Sequence, residues 1–109
     1  MLFYDFIVGD NTYKLRLNTR NIVQLEKAIG CNPLAIFGNG DTIPTVSVMV
    51  SVLHSSLQQY QHNITLADAY DIFDRYIECG NTATDFISVI LDIYKVSGLI
   101  KKSEIGEKN

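Results

Sequence analysis

Cysteine is scarce in this chain of 109 residues, and so are histidine, clustered basic charge and long apolar runs. Two cysteines, Cys31 and Cys79, cannot build a disulfide framework. A reducing cytoplasm is therefore the expected setting, with both thiols free and buried as small hydrophobes. The histidines, His54 and His62, have no Cys, His or acid at a zinc-like spacing, so no metal site is expected. A net charge of −3, with no basic cluster beyond Lys101 and Lys102, leaves no electrostatic footprint for nucleic acid. No apolar run approaches the roughly 20 residues of a membrane span. The best one, from Val46 to Leu53, is cut by Ser47 and Ser51. The start MLFYDFIVGD lacks basic residues and carries Asp5, so no signal peptide is expected. Gly38-Asn39-Gly40 has neither the preceding strand nor the following Lys-Ser/Thr of a phosphate loop.

What the chain does have is apolar patterning. A hydrophobic fraction of 47% suits one folded domain, expected over residues 1–100, with residues 101–109 as a flexible tail. Residues 2–17 read as a β-hairpin, two alternating runs around the turn signal Gly9-Asp10-Asn11. Helices are expected at about 19–30, 33–37, 44–62, 65–79 and 82–97, an α+β domain with a helical bundle after the hairpin. Thr65 with Asp68, and Thr82 with Asp85, have capping-box spacing. Gly30, Gly80 and Gly98 stand where helices should stop. The helix of 82–97 is apolar over well over half its circumference and is expected to be the organising element. In the helix of 65–79, Leu66, Ala69, Tyr70, Ile72, Phe73, Tyr76 and Ile77 form the expected core face.

Catalytic chemistry has little to stand on. Asp68, Asp71, Asp74 and Glu78 form the densest acidic group, read as a solvated face with an Asp71–Arg75 pair rather than a cation cage. Cys31 and a distant histidine carry no local nucleophile motif. No catalytic residue, metal or cofactor is expected. Partner-facing candidates are Val48, Val52, Leu91 and Val96, each off the main stripe of its helix. Tyr4, Phe6 and Tyr13 on the hairpin join them.

The order of these parts resembles a known family. The hairpin leads into NTRNIVQLEKAIGCNPLAIF, then IPTVSVMVSVLHSSLQQYQHNITLADAYDIFDRYIECG, then a last helix ending KVSGLIKK. This is similar to the small tail assembly chaperones of long-tailed bacteriophages and prophages, and to the related tail component of gene transfer agents. The features that carry it are the Leu15-to-Gly30 unit, the HNIT stretch His62 to Thr65 with its following helix, and the Gly80 stop. The resemblance implies a non-enzymatic protein of the bacterial host cytoplasm. It would bind the tape measure protein, keep it soluble and help recruit tail tube subunits. It implies a longer form made by −1 frameshifting, for which Glu107-Lys108-Asn109 or Ile100-Lys101-Lys102 can encode a slippery run. The alternative is a structural tail-completion or connector subunit that forms a homo-oligomer through the hairpin's sheet edge.

Overall fold

A computed structural model describes residues 2–37 and 43–101. The expected flexible connection at Gly38 to Asp41, and the tail beyond Lys101 with its possible slippery codons, lie outside the described residues. Strands β1 (Tyr4–Val8) and β2 (Asn11–Leu15) form an antiparallel pair, with Tyr4 opposite Leu15, Phe6 opposite Tyr13 and Val8 opposite Asn11. Four α-helices follow: α1 (Thr19–Ile29), α2 (Val46–Leu57), α3 (Leu66–Glu78) and α4 (Ala83–Val96). A 3-10 turn at Pro33–Phe37 joins α1 to α2. The fold is α+β, as the periodicities indicate.

The helix ends follow the local chemistry. Asn18 caps α1, and its side chain accepts the Asn21 N–H at 2.9 Å. Both capping boxes form: Thr65 and Asp68 exchange bonds of 2.9 and 3.1 Å, and Thr82 and Asp85 do the same. Gly98, at φ +83°, lets the chain reverse after α4, so that the Leu99 N–H reaches the Tyr94 carbonyl at 2.9 Å. Ser97, the C-cap, accepts the Leu17 N–H at 2.8 Å and ties the end of α4 to the exit of β2.

One boundary differs from expectation. The helix expected to run to residue 62 stops at Leu57. The glutamines after it bond back onto its last turn. Gln58 Nε2 donates to the His54 carbonyl at 2.8 Å, and Gln61 Nε2 donates to that of Leu57 at 2.9 Å. The backbone there is irregular, with the Gln58 N–H on the Ser55 carbonyl at 3.4 Å and the Gln61 N–H on that of Leu57 at 3.0 Å, and the side-chain amides add a second donor as the helix ends. Asn63, at φ +62°, then turns the chain into α3.

The centre of the fold also differs. α2, rather than α4, touches α1, α3, α4 and β2. Beside the stripe of Met49, Val50, Leu53 and Leu57, Val48 and Val52 make a second apolar strip, and each strip needs a different neighbour. Met49, Val50, Val52, Leu53 and Leu57 are all buried, with Ser55 and Ser56 among them. Its small residues let a backbone come close: the Arg16 N–H donates to the Ser56 carbonyl at 3.0 Å. α4 supplies Phe86, Ile90, Ile93 and Tyr94 to the same core, all fully enclosed. Between the hairpin and the last two helices lies an aromatic cluster. Phe86 sits 5.3 Å from Phe73, 5.6 Å from Tyr76 and 5.7 Å from Phe6, centroid to centroid. These rings meet largely edge to face, a favoured arrangement worth about 0.5–1.5 kcal/mol per pair beyond area burial.

The cysteines correct another expectation. Both are free, but both are exposed. Cys31 follows the C-cap of α1 and Cys79 is the C-cap of α3, so each lies on a surface connection.

Candidate functional site

The hairpin has two unlike edges. Lys14 turns its backbone away from β1, and the Gln61 side chain meets it like a third strand. The Lys14 N–H donates to Gln61 Oε1 at 3.0 Å, and Gln61 Nε2 donates to the Lys14 carbonyl at 3.1 Å. With the Arg16–Ser56 bond, this ties down the β2 edge from Lys14 onward, while the outward Thr12 backbone, opposite Ile7, has no bonded partner among the described residues. Asp5 pairs with Lys14 and Ile7 with Thr12, so the Asp5 and Ile7 backbones also point outward, on the β1 side. Among the described residues nothing bonds them. Ile7 is 65% exposed on the outer face.

The seven partner-facing candidates separate into two groups. Val52 is 0% exposed and Phe6 is 1% exposed, so neither can meet a partner. Val52 lies off the main stripe of α2 because that helix has neighbours on several sides. Phe6 sits in the aromatic cluster, 5.1 Å from Tyr76. The other five are half-buried. Val48 lies on α2 against the core. Leu91 and Val96 lie on α4, about 140° apart around the helix, so they share no face. Tyr13 lies beside α3, where its hydroxyl accepts from Arg75 Nη2 at 3.1 Å. Burial, and then the nearby Asp92 carboxylate, raise the pKa of the Tyr4 phenol.

The more informative surface lies on α3, where only part of the expected core face is covered. Ala69, Ile72, Phe73 and Tyr76 are buried, but Leu66, Tyr70 and Ile77 are 42%, 49% and 39% exposed. At about 100° per residue these three fall within roughly 40° of one another. They form a stripe along one flank of the buried arc. Asp74, Glu78 and Asp71, all exposed, occupy the next part of the circumference. The expected Asp71–Arg75 pair does not form, because Arg75 turns to Tyr13. Among the described residues the ion pair is Lys95–Asp92, 3.3 Å apart on α4. The acidic row on α3 is therefore not neutralised from within its own helix. Asp68 stands apart from it, held below the usual carboxylate range by the backbone and side-chain hydrogen bonds of Thr65.

The signal for this surface was in the sequence as surplus. Seven apolar positions on one helix of 13 residues span a wider arc than one packing contact covers. Periodicity alone does not say which part of that arc stays open.

His54 and Tyr94 have structural partners, whereas Arg16 Nε and Asn21 Oδ1 are buried without one among the described residues. His54 Nε2 lies 3.2 Å from the Ile64 carbonyl, which assigns its proton to Nε2. The Tyr94 hydroxyl, fully buried, donates to the Pro33 carbonyl at 2.9 Å. No group of three or more His, Cys, Asp or Glu able to hold a metal occurs among the described residues. No helix among them is long and apolar enough to cross a membrane.

The chain belongs to a family of unknown function (DUF6096), which it matches over residues 5–108. No curated protein and no solved structure matches it.

Proposed function

We propose that this DUF6096 chain is a non-enzymatic tail assembly chaperone of a long-tailed bacteriophage or prophage. In this reading it works in the host cytoplasm, binds the tape measure protein and keeps it soluble. It also helps recruit tail tube subunits, with a frameshifted longer form extending its C-terminus. Its motif resemblance supports the reading. The observation that carries it is the apolar surface left over once the core is complete. Leu66, Tyr70 and Ile77 share one helix face, while Leu2 and Ile7 are more than half exposed at the hairpin. Such surface suits helix-in-groove or face-to-face recognition of a long helical client.

The test is co-expression with the tape measure protein, followed by co-purification and light scattering. A soluble complex, with the client insoluble when expressed alone, is the expected result. Failure to co-purify, with defined rings formed by this chain alone, would replace the reading with a structural tail subunit. One observation favours that second reading: the outward backbone of Asp5 and Ile7 on β1 is open to strand addition, whereas the β2 edge is bonded at Lys14 and Arg16.

A further inference from the structure

We propose that the outer face of α3 binds a basic amphipathic helix of a partner protein. Apolar residues of that helix would lie along Leu66, Tyr70 and Ile77, and its Lys or Arg residues against Asp74, Glu78 and Asp71. The argument is one of charge complementarity beside an uncovered apolar stripe. From Leu66 to Ile77 the stripe runs for three turns, roughly 16 Å, which a partner helix of about 11 residues matches. The three carboxylates stand along one border of the stripe only. The only base on α3, Arg75, points to the hairpin through its bond to Tyr13. A partner with an apolar stripe and a basic flank would cover the apolar residues and supply the missing counter-charge together. An acidic or neutral helix would cover only the first. Exposed pairs of this kind add modestly to affinity but strongly to orientation and to selection among partners.

The inference rests on the client-binding reading above and names the chemistry of the bound segment. Its test uses two fluorescein-labelled 18-residue peptides. Both carry leucine along one helical stripe; one has lysine along the flank and the other glutamate. Binding is read by anisotropy at 0.05 and 0.3 M NaCl. The lysine peptide should bind at least tenfold more tightly at low salt, and the gap should narrow at high salt. The double variant D74K/E78K should invert the preference. It should also fold normally, because cations near the C-terminal end of a helix are favourable. Ile77→Glu should weaken the lysine peptide while the protein stays folded, its circular dichroism melt lowered only by the partial burial that this side chain loses.

Equal binding of both peptides, binding of neither, or a preference that survives the double variant would overturn the proposal. So would sedimentation showing a self-association that Ile77→Glu dissolves, since a second copy would then occupy this face. The two readings fail separately. A tape measure complex that survives both α3 variants removes this inference alone. Absence of any such complex with the unaltered chain removes the chaperone reading, while an inverted peptide preference would still stand.

Discussion

Replacing Tyr94 with phenylalanine isolates one buried hydrogen bond. The hydroxyl joins α4 to the 3-10 turn at Pro33–Phe37, donating to the Pro33 carbonyl at 2.9 Å. Both residues are buried, so water cannot replace the donor. The ring remains, and with it the edge contact to Phe37 at 6.3 Å between centroids. What is lost is one hydrogen bond, net about 1 kcal/mol, plus the cost of an orphaned buried acceptor, which brings the total to about 1–3 kcal/mol. Urea unfolding followed by circular dichroism should show a lower midpoint with an unchanged m-value. A loss under about 0.5 kcal/mol would mean that the carbonyl finds another donor, and would refute the reasoning. The pH dependence gives a second check. Burial, and then Cys31, raise the Tyr94 pKa above its ordinary value of 10.0. Below that value both states hold the proton and the stability is fully present. Above it the unfolded chain loses the proton while the native state keeps it, so stability falls by about 1.4 kcal/mol per pH unit. Tyr76, pushed up to about 12 by burial and then by Asp85 and Tyr4, adds a slope of the same sign. Tyr94→Phe removes one of these contributions. The stability gap between native chain and variant should therefore close as pH rises above 10. A constant gap from pH 8 to 11.5 would show that this hydroxyl ionises as freely as in the unfolded chain.

Two further substitutions probe the elements that frame the surface. Gln61→Ala removes both bonds to the Lys14 backbone and should cost about 1 kcal/mol, with faster hydrogen exchange at the Lys14 amide; unchanged exchange would mean that the β2 edge is protected by something else. Asp68→Asn probes acid stability. The Asp68 carboxyl is held low by Thr65, so its stabilisation is present above the ordinary carboxylate range and is lost as pH falls through the lowered value. Thermal melts between pH 6 and 2.5 should show the native chain losing more stability than the variant, and parallel curves would count against the capping box.

The local chemistry was readable because it depends on neighbours in sequence. Thr65, Thr82 and Gly98 act within a few residues of themselves, and all three do what their spacing indicates. The hairpin was readable for the same reason, since its turn is two residues long. The errors came where distant partners decide. The helix expected over 44–62 ends at Leu57, and Gln61 beyond it meets the Lys14 backbone, 47 residues away in sequence. Phe6 alternates as a sheet residue should, yet its side of the sheet is the one that α3 and α4 cover. Arg75 has an acid four residues earlier but finds a phenol on the hairpin instead, 62 positions away. Val52 lies on a second apolar strip of α2, and periodicity alone does not say whether the neighbour of that strip is the core or a partner; the fold buries it.

The same reasoning explains why α3 can carry a binding face without weakening the fold. Its hold on the domain comes from Ala69, Ile72, Phe73 and Tyr76, four residues on one arc, and from a capping box at its start. Leu66, Tyr70 and Ile77 lie outside that arc and leave much of their surface in water. Polar replacement there removes only the partial burial of each side chain, a fraction of the roughly 1.5–3 kcal/mol of a fully buried one. An aromatic partner such as Phe73, by contrast, cannot be altered without opening the cluster around Phe86. Stability and recognition are thus separated by about a quarter of a helix circumference, and substitutions on the stripe cost the fold less than they cost binding.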